Sequence, residues 1–343
     1  MGKTNFYHHN EKRLIDIVGL SMNARDQYFE IDSFSFINRI PRDSFWLQQP
    51  FEKDYFTITS GKVRMFGLKP IVKKNDTVVY ARKIIFSPLN FKVERDKTRP
   101  ADTTSYRPLL ANSLMKIPFP LQIDSLELKR SIIWHNVIDA KTGKEGTIFF
   151  SDLDALIRNI RNYEIKDDDS LRLRADAKLM GKGPLYVRFR QSYTDSLQTF
   201  LLAARMGSME MKDLNSILTP LGNARADQGI IDTMWMEIKG NDYFAFGRMT
   251  LEYRHLKIAL LKKDEQRRNF ISWLANLVVK TNNSKQGNIY EDRLRNKSIF
   301  NYWAKISMKG LLTNLGVVRN KKQLKKYART LKAKNLPSDL PDE

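Results

Sequence analysis

Strict alternation of apolar and polar residues is the feature of this sequence that most restricts its fold. Side chains of a β-strand point alternately to the two faces of a sheet, so a period of two predicts a strand with one buried face. The segment LRLRADAKL at 171–179 alternates throughout, and after the turn GKGP at 181–184 the segment LYVRFRQ at 185–191 alternates again. The two segments predict a hairpin. The larger apolar residues of its predicted inner face are Leu171, Leu173, Leu179, Leu185, Val187 and Phe189.

Comparable alternation recurs across residues 14–262 and predicts a serial arrangement of strands. Five copies of one phrase, Asp followed by Ser or Thr and an apolar residue, stand at predicted strand starts. Because Asp and Ser side chains bond to nearby backbone N–H groups in tight turns, the phrase predicts the boundaries between strands. The spacing is irregular, so we expect a meandering sheet with insertions, one of them the polar run at 95–108. The copies are IDSFSF at 31–36, IDSLEL at 123–128, DDSLRL at 168–173, TDSLQT at 194–199 and IDTMWM at 231–236.

Two other regions carry apolar residues at helical spacing. Residues 208–222 predict a short helix that crosses an edge or an end of the sheet. In residues 263–316, the segments RRNFISWLANLVVK and SIFNYWAKISMKGLLTNLG carry amphipathic stripes, and GNIYEDRL between them favours a short strand. Residues 317–343 predict a basic tail. The predicted fold class is therefore mainly β: a long, curved, groove-like antiparallel sheet in residues 1–262, followed by C-terminal amphipathic helices.

The charge balance favours a negatively charged partner. The chain has 59 Lys and Arg against 38 Asp and Glu, a formal net charge of +21, and such a surplus attracts nucleic acid, anionic lipid or an acidic polymer. Nucleic acid is disfavoured, because no zinc-finger, RNP1-like or helix-turn-helix signature is present. An anionic membrane surface is favoured, since each Lys or Arg beside it contributes about 1 kcal/mol. The residues predicted to contact it are Trp273, Trp303, Lys321, Lys322, Lys325 and Lys326.

The sequence offers no constellation typical of catalysis. It has no cysteine, no G-x-S-x-G nucleophile elbow and no P-loop spacing around the glycines of GKGP. Its histidines lack metal-ligand spacing such as H-x-x-x-H. We therefore predict that the protein is not an enzyme and uses no metal and no cofactor. The four histidines are His8, His9, His135 and His255.

Signals for membrane insertion and export are also missing from the sequence. No run of about 18 apolar residues predicts a transmembrane helix. Residues 1–20 do not resemble a signal peptide, because Glu11, Lys12, Arg13 and Asp16 interrupt any apolar core. We expect either a cytoplasmic protein or a chain that lacks its own targeting segment.

The most specific pattern of the sequence lies in its second half. It combines LNSILTPLG, the strand GIIDT, the segments YFAFGRM and LEYRHL, and the closing FNYWAKISMKGLL. Together with FPLQIDSLELKRSIIWHNVIDAKTGKEGTIFFSDLDALIRNI at 119–160 and DSLRLRADAKL, this pattern resembles the C-terminal region of AsmA-like (AsmA/TamB-type) proteins of the bacterial cell envelope, particularly those of Bacteroidetes. The resemblance spans residues 121–316, and residues 14–120 resemble the preceding strands of such proteins more loosely.

The resemblance implies a long curved sheet with an apolar concave side, tethered in the inner membrane and reaching into the periplasm. Proteins of this family are thought to carry phospholipid toward the outer membrane or otherwise to support outer-membrane assembly. We therefore expect a periplasmic, inner-membrane-associated protein whose anchor is not part of this chain. The expected partners are phospholipid or another acyl lipid, an anionic membrane surface and envelope assembly proteins.

Two interpretations of the apolar faces remain open at this point. If the sheet curls without a second sheet, acyl chains can cover the inner face, and Leu171, Leu173, Leu179, Leu185, Val187 and Phe189 are the candidate groove residues. Alternatively, those residues pack on helices at 266–280 and 298–315 as a closed core. The rival functions are a scaffold for outer-membrane protein assembly and a basic nucleic-acid-binding protein.

Overall fold

The computed structural model describes residues 2–73, 76–222, 224–260 and 282–314. Sixteen strands of these residues form one sheet, which confirms the predicted mainly β, groove-like fold. The strands are β1 Thr4–His9, β2 Arg13–Asn23, β3 Tyr28–Ile31, β4 Ser33–Asn38, β5 Asp54–Phe66, β6 Lys69–Lys73, β7 Asp76–Asp96, β8 Leu121–Ile138, β9 Glu145–Arg161, β10 Ser170–Leu179, β11 Gly183–Ser192, β12 Phe200–Met206, β13 Met209–Glu210, β14 Ala224–Gly240, β15 Phe244–Leu260 and β16 Asn282–Asp292. The helices are α1 Arg42–Leu47, α2 Leu110–Leu114, α3 Asn215–Gly222 and α4 Ile299–Asn314, and a 3₁₀ turn spans Met211–Leu214.

The order of strands follows the chain with few exceptions. Along the sheet it is β1-β2-β3-β5-β7-β8-β9-β10-β11-β12-β14-β15-β16, while β4 pairs with β2 and β5, β6 with β7, and β13 with β14. Most contacts between strands are therefore between neighbours in sequence, as the serial pattern predicts. The strand β16 belongs to this sheet, and the helix predicted at 266–280 and the basic tail at 317–343 lie outside the described residues.

The predicted hairpin of LRLRADAKL and LYVRFRQ is present as β10 and β11. The two strands pair antiparallel with Leu173 opposite Phe189, so the alternating residues keep one apolar face across both strands. The turn between them contains Gly181 at a φ of +70°, a conformation that glycine adopts without steric cost.

One strand pair departs from the expected antiparallel sheet. β7 and β8 run parallel, with Ile84 beside Leu126 and Phe91 beside Ile133. Parallel neighbours need a crossover of a dozen or more residues, and residues 97–120 provide it. The polar run predicted as a loop is thus the first half of a crossover connection, and α2 lies in its second half.

The crossover and α4 cover the C-terminal half of the sheet. Leu109 and Ala111 of the crossover are fully buried there, and the backbone N–H of Ala111 donates to Oε1 of Gln191 at 3.0 Å. Helix α4 packs on β15 and β16 through Tyr302 and Ile306. Its Gly310 allows this approach, because a Cβ there would lie 2.7 Å from Cδ1 of Ile289. We call this covered face of the sheet the inner face and the opposite one the outer face.

The Asp-Ser phrases are predicted to open strands; two of the five do so, at β4 and β10, and the copy at 194–199 lies in the turn that precedes β12. Asp195 in this turn accepts hydrogen bonds from the backbone N–H groups of Leu197 and Thr199. The prediction is wrong for the copies at 123–128 and 231–236, which lie within β8 and β14. There the carboxylates bind side chains of neighbouring strands: Asp124 accepts from Tyr80, and Asp232 pairs with Arg254.

Candidate functional site

A continuous row of apolar residues crosses the inner face from one end of the sheet to the other. Residues that lie opposite each other in neighbouring strands share a face, so the strand registers trace the row directly. We call it the central stripe. Gly247 is part of it by register, between Ile238 and Ile289, and is glycine because a Cβ there would collide with the carbonyl oxygen of Glu237. From β2 to β16 the central stripe consists of Met22, Phe29, Met65, Ile84, Leu126, Ile157, Leu173, Phe189, Leu202, Ile238, Gly247 and Ile289.

A second apolar row, the lower stripe, crosses the N-terminal half of the same face. Register shifts in β8 and β9, with Arg130 and Asp152 at positive φ, bring Ile133 and Phe150 onto the same face as Leu126 and Ile157. The rings of Phe56 and Phe91 stack beside this row with centroids 5.9 Å apart. The lower stripe consists of Ile15, Phe36, Ile58, Phe91, Ile133, Phe150 and Leu179.

The cover over these stripes changes along the sheet. In the C-terminal half, Phe189 and Leu202 are 3% and 4% exposed, under α2 and α4. In the N-terminal half, Ile84 and Leu126 are half-buried, and Met22 at the far end is 55% exposed. Of the described helices, α2, α3 and α4 pack mainly against strands from β9 onward. The face therefore passes from a closed core to a partly open apolar surface.

The predicted groove residues lie at the covered end of this face. Leu171 and Phe189 are buried in the core beneath α4, and Leu173 and Val187 pack partly buried against the same core. At these positions α2 and α4 cover the sheet, the arrangement expected of a closed core. Leu179 and Leu185 are half-buried against the methionine-rich core around Met206, Met209 and Met211.

The predicted membrane-surface residues are mostly outside the described part of the chain. Trp273, Lys321, Lys322, Lys325 and Lys326 all fall there. Trp303 lies on α4, half-buried, with its ring 5.1 Å from that of Phe189 and 5.6 Å from that of Phe300. The indole therefore forms part of the cover of the sheet, and its contact with a membrane surface stays a prediction. The exposed aromatic residue of this helix is Phe300, at 61%.

The partly open residues were missed by sequence reasoning. Phe36, Ile58 and Phe91 come from segments whose alternation predicts strands, yet alternation does not reveal which strands receive a helical cover. Two phenylalanines at i and i+2 in FSF, 34–36, are a signal that could have directed attention to this end of the sheet. Whether a strand is covered depends on its position in the sheet relative to the crossover at 97–120.

The inner face ends in a polar cluster beside the lower stripe. The guanidinium of Arg95 donates two hydrogen bonds to the carboxylate of Asp54, and Nη1 of Arg107 lies 3.6 Å from the same carboxylate. His135 lies next to Val93 in the neighbouring strand, so its imidazole belongs to this end of the face. Burial lowers the pKa of His135, and Arg95 and Lys97 lower it further, against the opposing effect of Asp54. Burial also lowers the pKa of Lys97.

We expect the stability of the protein to fall on acidification because of His135. Its pKa in the folded state lies below the ordinary value of 6.5, so the unfolded chain binds a proton first as the pH decreases through 6.5. The neutral imidazole contributes its full stabilisation above that pH, and this contribution is lost below it. The free energy of unfolding then falls by at most about 1.4 kcal/mol per pH unit. Urea denaturation at pH about 7.5 and about 5.5 measures it.

The control for this pH dependence is the exposed histidine of the first strand. His135→Gln removes the buried imidazole and should flatten the pH dependence, whereas His8→Gln should leave it as in the wild-type protein. Equal slopes for the wild-type protein and His135→Gln would contradict the assignment.

Within its described ranges the structure shows neither a membrane-spanning helix nor a metal site. None of the helices there is both long and apolar enough to cross a bilayer, and no three His, Asp or Glu side chains of that part of the chain converge as metal ligands. No protein-family model matches the chain, and no curated protein matches it at a significant level.

Proposed function

We propose that this chain is a non-enzymatic lipid-binding protein of the bacterial cell envelope, in which the partly open half of the inner face shields acyl chains from water. The observation that carries the proposal is the continuity of the central and lower stripes beyond the helical cover. Phe36, Ile58, Phe91 and Ile84 form an apolar surface several strands wide.

The chemistry of this surface suits an acyl chain better than a polar ligand. Neighbouring strands are spaced about 4.8 Å apart, so the lower stripe from Ile15 to Phe150 extends over roughly 25 Å. Each methylene buried against it contributes about 0.8 kcal/mol, and a long chain thus gains affinity without any directed hydrogen bond. The cluster of Asp54, Arg95, Lys97 and His135 lies beside the middle of the stripe and provides polar groups for a headgroup there.

The cellular setting of the proposal rests on the resemblance of residues 121–316 to AsmA-like envelope proteins. In that setting the protein carries or shields phospholipid between the inner and outer membranes and supports outer-membrane homeostasis. It acts in the periplasm beside an anionic membrane surface, which the net charge of +21 favours.

The test is retention of lipid by the purified protein after its surface charges are screened. The chain is washed in about 1 M salt, where the Debye length is about 3 Å, and then extracted with organic solvent for mass spectrometry. We expect acyl lipid to remain at a fixed molar ratio, because apolar burial does not depend on ionic contacts. Complete loss of lipid in the wash would instead favour a scaffold for envelope assembly. Chemical crosslinks to other proteins, in a sample that contains no lipid, would favour the scaffold as well.

A further inference from the structure

The outer face of the C-terminal half carries a concentration of arginines that the lipid-binding face does not use. They alternate with the apolar residues of the inner face on β9, β10, β11 and β15, so they lie on the opposite side of the sheet from both stripes. We call this set the arginine face. It consists of Arg158, Arg172, Arg174, Arg188, Arg190 and Arg248.

The strand registers place like charges directly opposite each other on this face. Arg172 lies opposite Arg190, Arg174 opposite Arg188, and Arg158 opposite Arg172 in the next strand. Opposing positions in an antiparallel pair are about 5 Å apart, and successive rows on one face about 7 Å apart. Like charges in such positions repel, so this arrangement works against the stability of the sheet. Packing alone does not explain why the chain has arginine at each of these positions.

The six arginines form no ion pair with any carboxylate of the described residues, in contrast to arginines elsewhere in the sheet. Arg64 pairs with Glu30 and Arg254 with Asp232, both on exposed strand surfaces. On the arginine face, Nε of Arg172 and Nε of Arg190 both donate to Oγ of Ser170, at 3.3 and 3.0 Å. Their terminal nitrogens therefore remain available for a ligand.

A depression of about 620 Å³ lies on the outer face beside these arginines. Its floor is β12, where the outward residues Leu201 and Ala203 are short compared with their neighbours, and Leu201 is 51% exposed. Long side chains rise on both sides: Arg188 and Arg190 from β11, and Glu237 and Lys239 from β14. The depression results from this difference in side-chain length. Arg172, Arg174, Arg248 and Phe246 also line it, together with five residues of the central stripe, Leu173, Phe189, Leu202, Ile238 and Gly247.

We propose that this depression binds a small anion that carries two or more phosphate groups. Guanidinium forks bind phosphate oxygens with two parallel hydrogen bonds, and four of them, from Arg172, Arg174, Arg188 and Arg190, line one side of the depression. The exposed Leu201 beside them accommodates an apolar part of the same ligand. The site is independent of the proposed function, because the arginine side chains that would bind the anion alternate with the stripe side chains and lie on the opposite face of the sheet.

The experiment measures binding of inorganic tripolyphosphate by titration calorimetry to the full chain and to two double variants. Arg174→Gln/Arg188→Gln removes two forks at the centre of the arginine face, and we expect at least tenfold weaker binding. The control Arg25→Gln/Lys144→Gln removes the same net charge from two exposed turns, and we expect an affinity within twofold of the wild-type value. The first variant should also unfold at an unchanged or higher temperature, because it removes a repelling pair.

Vesicles distinguish a soluble phosphate compound from a lipid headgroup as the source of the phosphate. If the folded double variant also loses binding to vesicles that contain cardiolipin, whose headgroup carries two phosphates, the ligand is a lipid headgroup. If only tripolyphosphate binding falls, the ligand is a soluble anion. Equal weakening in both double variants would overturn the proposal, because binding would then follow net charge alone. Absence of tripolyphosphate binding to the wild-type chain, or an affinity that rises with the length of a single-stranded oligonucleotide, would overturn it as well.

Discussion

Replacement of Asp242 by alanine is expected to lower the free energy of unfolding by about 3–5 kcal/mol, because it leaves a buried arginine without its counterion. Asp242 is 3% exposed in the turn after β14, and Nη1 of Arg293 donates to it with no exposed side-chain surface of its own. Nε of Arg295 lies 2.8 Å from the second carboxylate oxygen, and the hydroxyl of Tyr106 donates to the first at 3.2 Å. Urea denaturation at neutral pH measures the loss.

The position of this ion pair explains the size of the effect. It joins three parts of the chain that are distant in sequence: the turn between β14 and β15, the crossover at 97–120, and the segment after β16. Nη2 of Arg293 also donates to the carbonyl oxygen of Arg107 in the crossover. Without the carboxylate, the crossover and α4 lose a common attachment to the sheet.

The controls for Asp242→Ala separate the buried pair from general charge effects. Asp176→Ala removes one carboxylate from an exposed strand position and should change the free energy of unfolding by less than about 0.5 kcal/mol. The double variant Asp242→Ala/Arg293→Met removes both charges and should recover part of the loss, because no buried charge remains unpaired. A loss below about 1 kcal/mol for Asp242→Ala would contradict the assigned role of the pair.

Local alternation was enough to predict the strands but not their cover. The hairpin of β10 and β11 depends on residues within about 20 positions, and Leu173 lies opposite Phe189 as its pattern requires. The cover of that hairpin comes from Leu109 and Ala111, far earlier in the chain, and from Tyr302, far later. Periodicity contains no information on such distant contacts. This is why the groove was predicted at its closed end.

The same limit applies to the arginine face. The alternating arginines of LRLRADAKL and LYVRFRQ are visible in the sequence as solvent-facing residues. Their concentration depends on the register of β9, β10 and β11, and the depression depends on the short side chains of Leu201 and Ala203 in β12. Register follows from turn geometry and from the buried face, so a single sequence indicates the residue types without their arrangement.

A glutamate in place of Phe91 is expected to reduce the lipid bound by the purified chain at least tenfold. Phe91 is half-buried at the centre of the lower stripe, between Ile58 and Ile133, and its ring stacks on Phe56. An acyl chain that covers this position would bury the new carboxylate, and such burial costs several kcal/mol when no partner is present. A tenfold loss requires only about 1.4 kcal/mol, so the expected reduction is a lower limit.

The neighbouring residue supplies the matched control, since Asn90 is exposed on the opposite face of the same strand. Asn90→Glu introduces the same charge one position away, and lipid retained after the high-salt wash should equal that of the wild-type chain. Phe91→Leu keeps an apolar side chain and should retain most of the lipid, which separates loss of the ring from gain of the charge. Thermal unfolding of all three variants identifies any that fail to fold. If folded Phe91→Glu and Asn90→Glu retained equal amounts of lipid, the acyl chains would lie elsewhere than on the lower stripe, and the inner face would have lost its main support as the lipid site.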